Sequence, residues 1–179
     1  MTARKSRSVT GGGVYCILCV PVDGWTYVKV GVSELIIQRL IHLMTGCPFD
    51  FDTVLYKSVQ SKTRAYKIEA EIHRNFAPFH TTREWFRFQI DDPEHKRAFH
   101  SGTRAAFSQV MRTAPEAPIN WHNVDLALIR RERKMLDRIR NAKDPEIFAK
   151  HKASVEVRDA NIKAVIGLAA QRMKGDGSR

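Results

Sequence analysis

Apolar and β-branched residues fill Val14 to Val20, Pro21-Val22-Asp23-Gly24 supplies turn chemistry, and Trp25 to Val32 alternates apolar with polar positions. That pattern predicts a β-hairpin. The period then changes. Leu35, Ile36, Leu40, Leu43 and Met44 fall at helical spacing, Ser33 suits an N-cap, and Gly46 with Pro48 suits a stop, so a helix is expected to about Thr45. A third strand is expected over Asp52 to Val59. Ser61 then suits the cap of a second helix reaching Phe76, with Ala65, Ile68, Ile72 and Phe76 on its inner face and Pro78 ending it. Glu84 to Ile90 reads as a short aromatic strand. Asp91 or Asp92, followed by Pro93, opens a third helix to Met111, with Gly102 as its weak point.

Residues 113–122 carry prolines and little periodicity, and read as a linker. Beyond them Asn123 to Asn141 is helical and basic, with Leu128, Ile129, Met135, Leu136 and Ile139 as its apolar stripe. Further helix is expected over Asp144 to His151 and Ser154 to Lys174. The order β-β-α-β-α-β-α implies an α+β layer protein: a small three-stranded antiparallel sheet flanked by helices, plus a C-terminal helical extension. The expected division is a disordered basic tail at 1–12, a domain at 13–112, the linker at 113–122 and a basic extension at 123–179.

Charge narrows the function classes. The formal net charge is +11 and the sequence pI about 9.9. Self-repulsion of that size is relieved by a polyanion, and nucleic acid is the commonest one. An anionic membrane surface is the rival. Three cysteines, Cys16, Cys19 and Cys47, are too few and too odd for a disulfide framework. Cys16 and Cys19 form a Cys-x-x-Cys pair, but residues three apart on a strand face opposite ways, and no second pair completes a tetrahedral zinc site. Arg4, Lys5 and Arg7 precede the short apolar stretch, yet no cleavage pattern follows it, and no apolar run approaches the roughly twenty residues of a membrane span. The expectation is a cytoplasmic protein without a membrane partner.

Several residues suit phosphodiester chemistry. Arg39 lies on the first expected helix, Glu69 on the second with His73 one turn later, and Tyr15 and Lys29 on neighbouring strands. A carboxylate holds hard divalent ions through oxygen. Arginine offers a planar fork to phosphate oxygens. Tyrosine or lysine can orient or deprotonate water. Taken singly, each also suits an ordinary surface or packing role, so spacing alone does not establish an enzyme.

At these residues the chain resembles the GIY-YIG nuclease superfamily. Gly13-Val14-Tyr15, then Lys29-Val30-Gly31, then Arg39 in the next helix and Glu69 in a later one, follow that family's order. Glu69-Ala70-Glu71-Ile72-His73 with Arg83-Glu84-Trp85-Phe86 is similar to a branch frequent in phages and prophages. The resemblance implies a DNA endonuclease using one Mg²⁺ or Mn²⁺. Glu69 would be the metal ligand, Arg39 the phosphate clamp, Tyr15 a contact of the water or the phosphate or else the base, and His73 and Glu84 supporting residues. Lys29 stands where the family name expects tyrosine. It is either a phosphate contact or base, or a mark of a module that binds DNA without cutting. Tyr27, two residues earlier on the same strand face, is a possible substitute, and His42 is the nearest match to a residue that relatives carry after the arginine. On the extension, Arg130, Arg131, Arg133, Lys134 and Arg138 form a basic stripe suited to a DNA backbone. A homodimer through the C-terminal helices is a further expectation.

Overall fold

The computed structural model describes residues 12–89, 91–115, 117–141, 146, 149–150 and 153–160. Six strands, β1 (Gly12–Cys19), β2 (Thr26–Ser33), β3 (Phe51–Val59), β4 (His80–Thr82), β5 (Trp85–Phe88) and β6 (His122–Asn123), form one antiparallel sheet in the order β4-β5-β2-β1-β3-β6. Among the described residues the helices are α1 (Ile36–Gly46), α2 (Lys62–Asn75), α3 (Pro93–Met111) and α4 (Leu126–Asn141), with a 3-10 turn at Ala77–Phe79, and residues 153–160 are helical as well. The α+β class expected from the sequence holds, but the sheet has six strands rather than three. β4 and β6 span three and two residues, too short to leave a period-2 signature.

The central strand β1 is apolar on both faces because helices cover both. Val14 and Cys16 join Val28, Val30, Ala65, Ile68, Ile72, Phe76, Phe86, Phe88, Phe99 and Phe107 in a core beneath α2 and α3. Tyr15, Ile17 and Cys19 face the other way, into a core with Ile36, Ile37, Leu40, Ile41, Val54, Tyr56, Ile129 and Val155 beneath α1 and α4. Each fully buried large apolar side chain stabilises by about 1.5–3 kcal/mol. Cys16 and Cys19, both buried, thus lie on opposite faces of the sheet.

In the first core, Phe76 packs its ring against Phe88, Phe86 and Phe99 at centroid separations of 5.0, 5.4 and 5.6 Å. Gly102 does not interrupt α3. It lets α3 approach α2, for a β-carbon there would sit 2.9 Å from the Phe76 ring, and its carbonyl accepts from Asn75 Nδ2 at 2.9 Å. Both α2 and α3 have the expected caps. Ser61 Oγ accepts from the Arg64 amide, and Asp92 Oδ1 accepts from the amides of Glu94 and His95.

The start of α1 departs from expectation. Ser33 does not cap it; it pairs with Gly13 as the last residue of β2, and the helix begins at Ile36 with no local side-chain cap. The cap comes instead from Asp159, whose Oδ1 accepts from the buried Ile37 amide at 2.8 Å. The chain beyond residue 112 is an extension in sequence but a layer of the same unit in space. β6 pairs with β3, Ile129 and Val155 complete the second core, and Arg130 and Arg133 donate to the carbonyls of Phe51 and Met44 at 3.1 and 3.0 Å. The tail expected at 1–12 lies outside the described residues except for Gly12, which opens β1; much of the helix expected at 144–151 and 154–174 lies outside them as well.

Candidate functional site

A cleft of about 520 Å³ opens where β2 runs into α1. Tyr15 from β1, Arg39 from α1, Glu69 from α2 and Glu84 from the β4–β5 turn line it, together with Gly31, Ser33, Glu34, Lys62 and Tyr66. The sheet's pairing makes the opening. β5 begins only at Trp85, opposite Lys29, so among the described residues the outer edge of β2 beyond Lys29 has no strand beside it. Glu69 and His73 of α2 meet that edge, one at the Val32 backbone and the other at the Val30 backbone.

Tyr15 lies beneath α1, fully buried in relative exposure, and its hydroxyl accepts from Arg39 Nε at 3.3 Å. The ring passes so close to Gly31 that any β-carbon there would collide with the hydroxyl, which is why residue 31 is glycine. Burial pushes the Tyr15 phenol above its ordinary value, and the nearby Glu84 and Glu69 add to the rise against the lowering effect of Arg39. Near neutral pH it is therefore a protonated hydroxyl, able to donate a hydrogen bond, and a poor base.

Two carboxylates face the same space under opposite influences. Glu69 is raised above the usual carboxylate range, first by burial and then by the Glu84 charge, with Lys29, Arg39 and the Val32 backbone opposing. Glu84 is lowered, chiefly by its hydrogen bond from Lys29. Lys29 is 6 % exposed, ion-paired to Glu84 and 5.6 Å from the Trp85 ring centroid. Arg83, in the left-handed region at φ 54, makes the tight turn that presents Glu84. Carboxylate oxygens, a hydroxyl and a guanidinium around an open space suit a hard cation with a phosphate. Among the described residues no group of three or more His, Cys, Asp or Glu is gathered, so an ion here would draw most of its ligands from water and a bound phosphate.

The structure brings Tyr15, Arg39, Glu69 and Glu84 into one cleft, with Lys29 behind Glu84. His73 sits at the rear, its ring edge-on to Phe86 at 5.1 Å, and burial holds its pKa below the usual histidine value. Tyr27 and His42 lie elsewhere. Tyr27 stacks on Phe49 at 4.2 Å, and His42 lines a separate groove between α1 and α4. Of the basic stripe on α4, Arg130 and Arg133 are tied to backbone carbonyls, while Arg131, Lys134 and Arg138 are exposed. Sequence reasoning missed Lys62 and Tyr66, although their i, i+4, i+7 spacing with Glu69 places all three on one face of α2. It also missed Glu34, which pairs with Lys62 at 3.0 Å across the mouth of the cleft.

No helix among the described residues is long and apolar enough to cross a membrane. Comparison with curated proteins and with solved structures gives no match. Residues 12–99, the stretch that contributes every residue of this cleft, match the family of the T5orf172 domain, a phage-associated domain related to the GIY-YIG and HNH-like nucleases.

Proposed function

We propose that this protein is a DNA endonuclease of the GIY-YIG type that hydrolyses phosphodiester bonds with one Mg²⁺ or Mn²⁺. The observation that carries the reading is the convergence of Tyr15, Arg39, Glu69 and Glu84, from four different elements, on one open cleft. The donor set fits the ion. The Glu84 charge adds to the cost of ionising Glu69, which a divalent cation would relieve, and Mg²⁺ characteristically takes one or two carboxylates with waters and substrate phosphate. Glu69 would hold it, with Glu84 alongside. When bound, the ion polarises the phosphoryl oxygen and lowers the pKa of water.

The chain's own residues supply the rest. Arg39 presents its remaining guanidinium nitrogens to the scissile phosphate and stabilises the charge that develops there. Tyr15, kept protonated by burial, orients the attacking water or a non-bridging oxygen through its hydroxyl and takes no proton. Lys29, in the place of the family's second tyrosine, keeps Glu84 ionised and aimed. That same engagement of Lys29 favours the second reading, a module of the same fold that binds DNA without cutting it. Incubation of the full chain with supercoiled plasmid and either metal separates the two. Nicking or linearisation is expected, falling by at least about 100-fold in Arg39→Ala, as for other lost transition-state contacts, and in Glu69→Gln. Binding without cleavage in both metals overturns the enzyme reading.

A further inference from the structure

Helix α2 has a second groove on its other flank. Arg64, Lys67 and Arg74 of α2 and Arg112 at the end of α3 line a space of about 700 Å³, larger than the cleft. One acid, Glu71, joins them and is ion-paired to Arg74, so the other three cations there have no acid of the groove against them. Arg112 is the C-cap of α3 at φ 55, a left-handed position where glycine is usual. An arginine there carries conformational strain and places a guanidinium at the groove's rim.

The two concavities share α2. Lys62, Tyr66 and Glu69 face the cleft, Arg64, Lys67, Glu71 and Arg74 face the groove, and Ala65, Ile68 and Ile72 are buried. At 100° per residue the first two sets fall on opposite flanks of the helix's exposed side. A helix with its side chains is about 10–12 Å across, and the major groove of B-form DNA is about 12 Å wide.

We propose that α2 lies in the major groove of duplex DNA, with a phosphate of one strand in the cleft and the backbone of the other strand in the Arg64–Lys67–Arg112 groove. The cleft half of this arrangement rests on the nuclease reading; the groove half rests on charge and shape. Contacts of this kind position the duplex and do not read its sequence.

Binding of a labelled duplex of about two helical turns to the full chain, in EDTA over a range of salt, tests it. Each neutralised phosphate contributes a slope of about −0.9 to log affinity against log salt. The triple variant Arg64→Ala, Lys67→Ala, Arg112→Gly is expected to flatten that slope by about 2 to 3. It is also expected to weaken binding to the duplex more than binding to a single strand of the same sequence. All three residues are exposed, and a thermal melt no lower than the wild type's checks that the fold is intact. Unchanged duplex affinity and slope overturn the proposal. So does an equal loss for the single strand, which would mean one strand wrapped round the helix, and so does transfer of the effect to a charge-matched triple on α4, Arg131→Ala, Lys134→Ala, Arg138→Ala. Plasmid cleavage by the wild type is scored separately, so a groove that binds nothing and a cleft that cuts nothing are distinct results.

Discussion

The two faces of the sheet are built differently. Beneath α2 and α3 the core holds five buried phenylalanines, and all its buried residues lie between Val14 and Phe107. Beneath α1 and α4 it closes only when Ile129 and Val155 arrive, and it brings buried charge: Glu132 at 3 % exposure, paired with Arg158, and Asp159 at 1 %. The cleft draws on both faces, because Tyr15 and Arg39 belong to the second and Glu69 to the first. A locally closed apolar layer gives the carboxylate a rigid floor. The arginine depends on a polar contact made from far along the chain.

The largest effect that tests this contrast is on cleavage. If one cleft is assembled from both layers, Arg39→Ala combined with Glu69→Gln should cost little more activity than either alone, since residues acting on one transition state are strongly non-additive. Additive losses in single-turnover plasmid cleavage would separate the two halves. Next is Phe76→Ala, which removes the ring at the centre of the aromatic cluster. It should destabilise by about 3–5 kcal/mol and lower the denaturant midpoint, with cleavage lost only as the protein unfolds. Asp159→Ala should cost about 1–3 kcal/mol by leaving the buried Ile37 amide unpaired. It should also reduce cleavage well below the melting temperature, unlike Phe76→Ala; unchanged cleavage would mean that α1 holds Arg39 without its cap.

The smallest effect concerns Asp92 on the first face. Its carboxyl is held below its ordinary value by the amides of His95 and Glu94. A depressed folded-state pKa means stability that is present above the unfolded value of about 3.9 and is lost as pH falls through the folded value. The melting-temperature gap between wild type and Asp92→Ala should therefore be full at pH 7 and narrow under strong acid. A gap that persists there would mean that the cap acts without its charge.

What the sequence made legible followed the same division. The hairpin, the bodies of the four helices and the caps Ser61 and Asp92 rest on local periodicity and turn chemistry and stand where those signals place them, but α1 and α4 begin later than expected, at Ile36 and Leu126, and Asn123 belongs to β6. Arg39, Glu69 and Tyr15 were found through motif order and share the cleft. What was not legible depends on contacts across long separations. Ser33 looked like a cap because its pairing with Gly13 cannot be read locally. Glu84 looked like strand because the left-handed turn at Arg83 leaves no glycine to mark it. The Lys29–Glu84 pair spans 55 residues and the Asp159–Ile37 bond 122. Arg130 and Arg133 read as part of a basic stripe suited to a DNA backbone, but they bind carbonyls 79 and 89 residues away.

That 122-residue reach has a consequence for how the protein comes into being. Domains fold as units, so the layer beneath α1 cannot close before Ile129 and Val155 have been made, and the Ile37 amide stays uncapped until Asp159 follows them. A polypeptide still on the ribosome therefore carries every residue of the cleft, yet lacks the bond that fixes the start of the helix bearing its arginine.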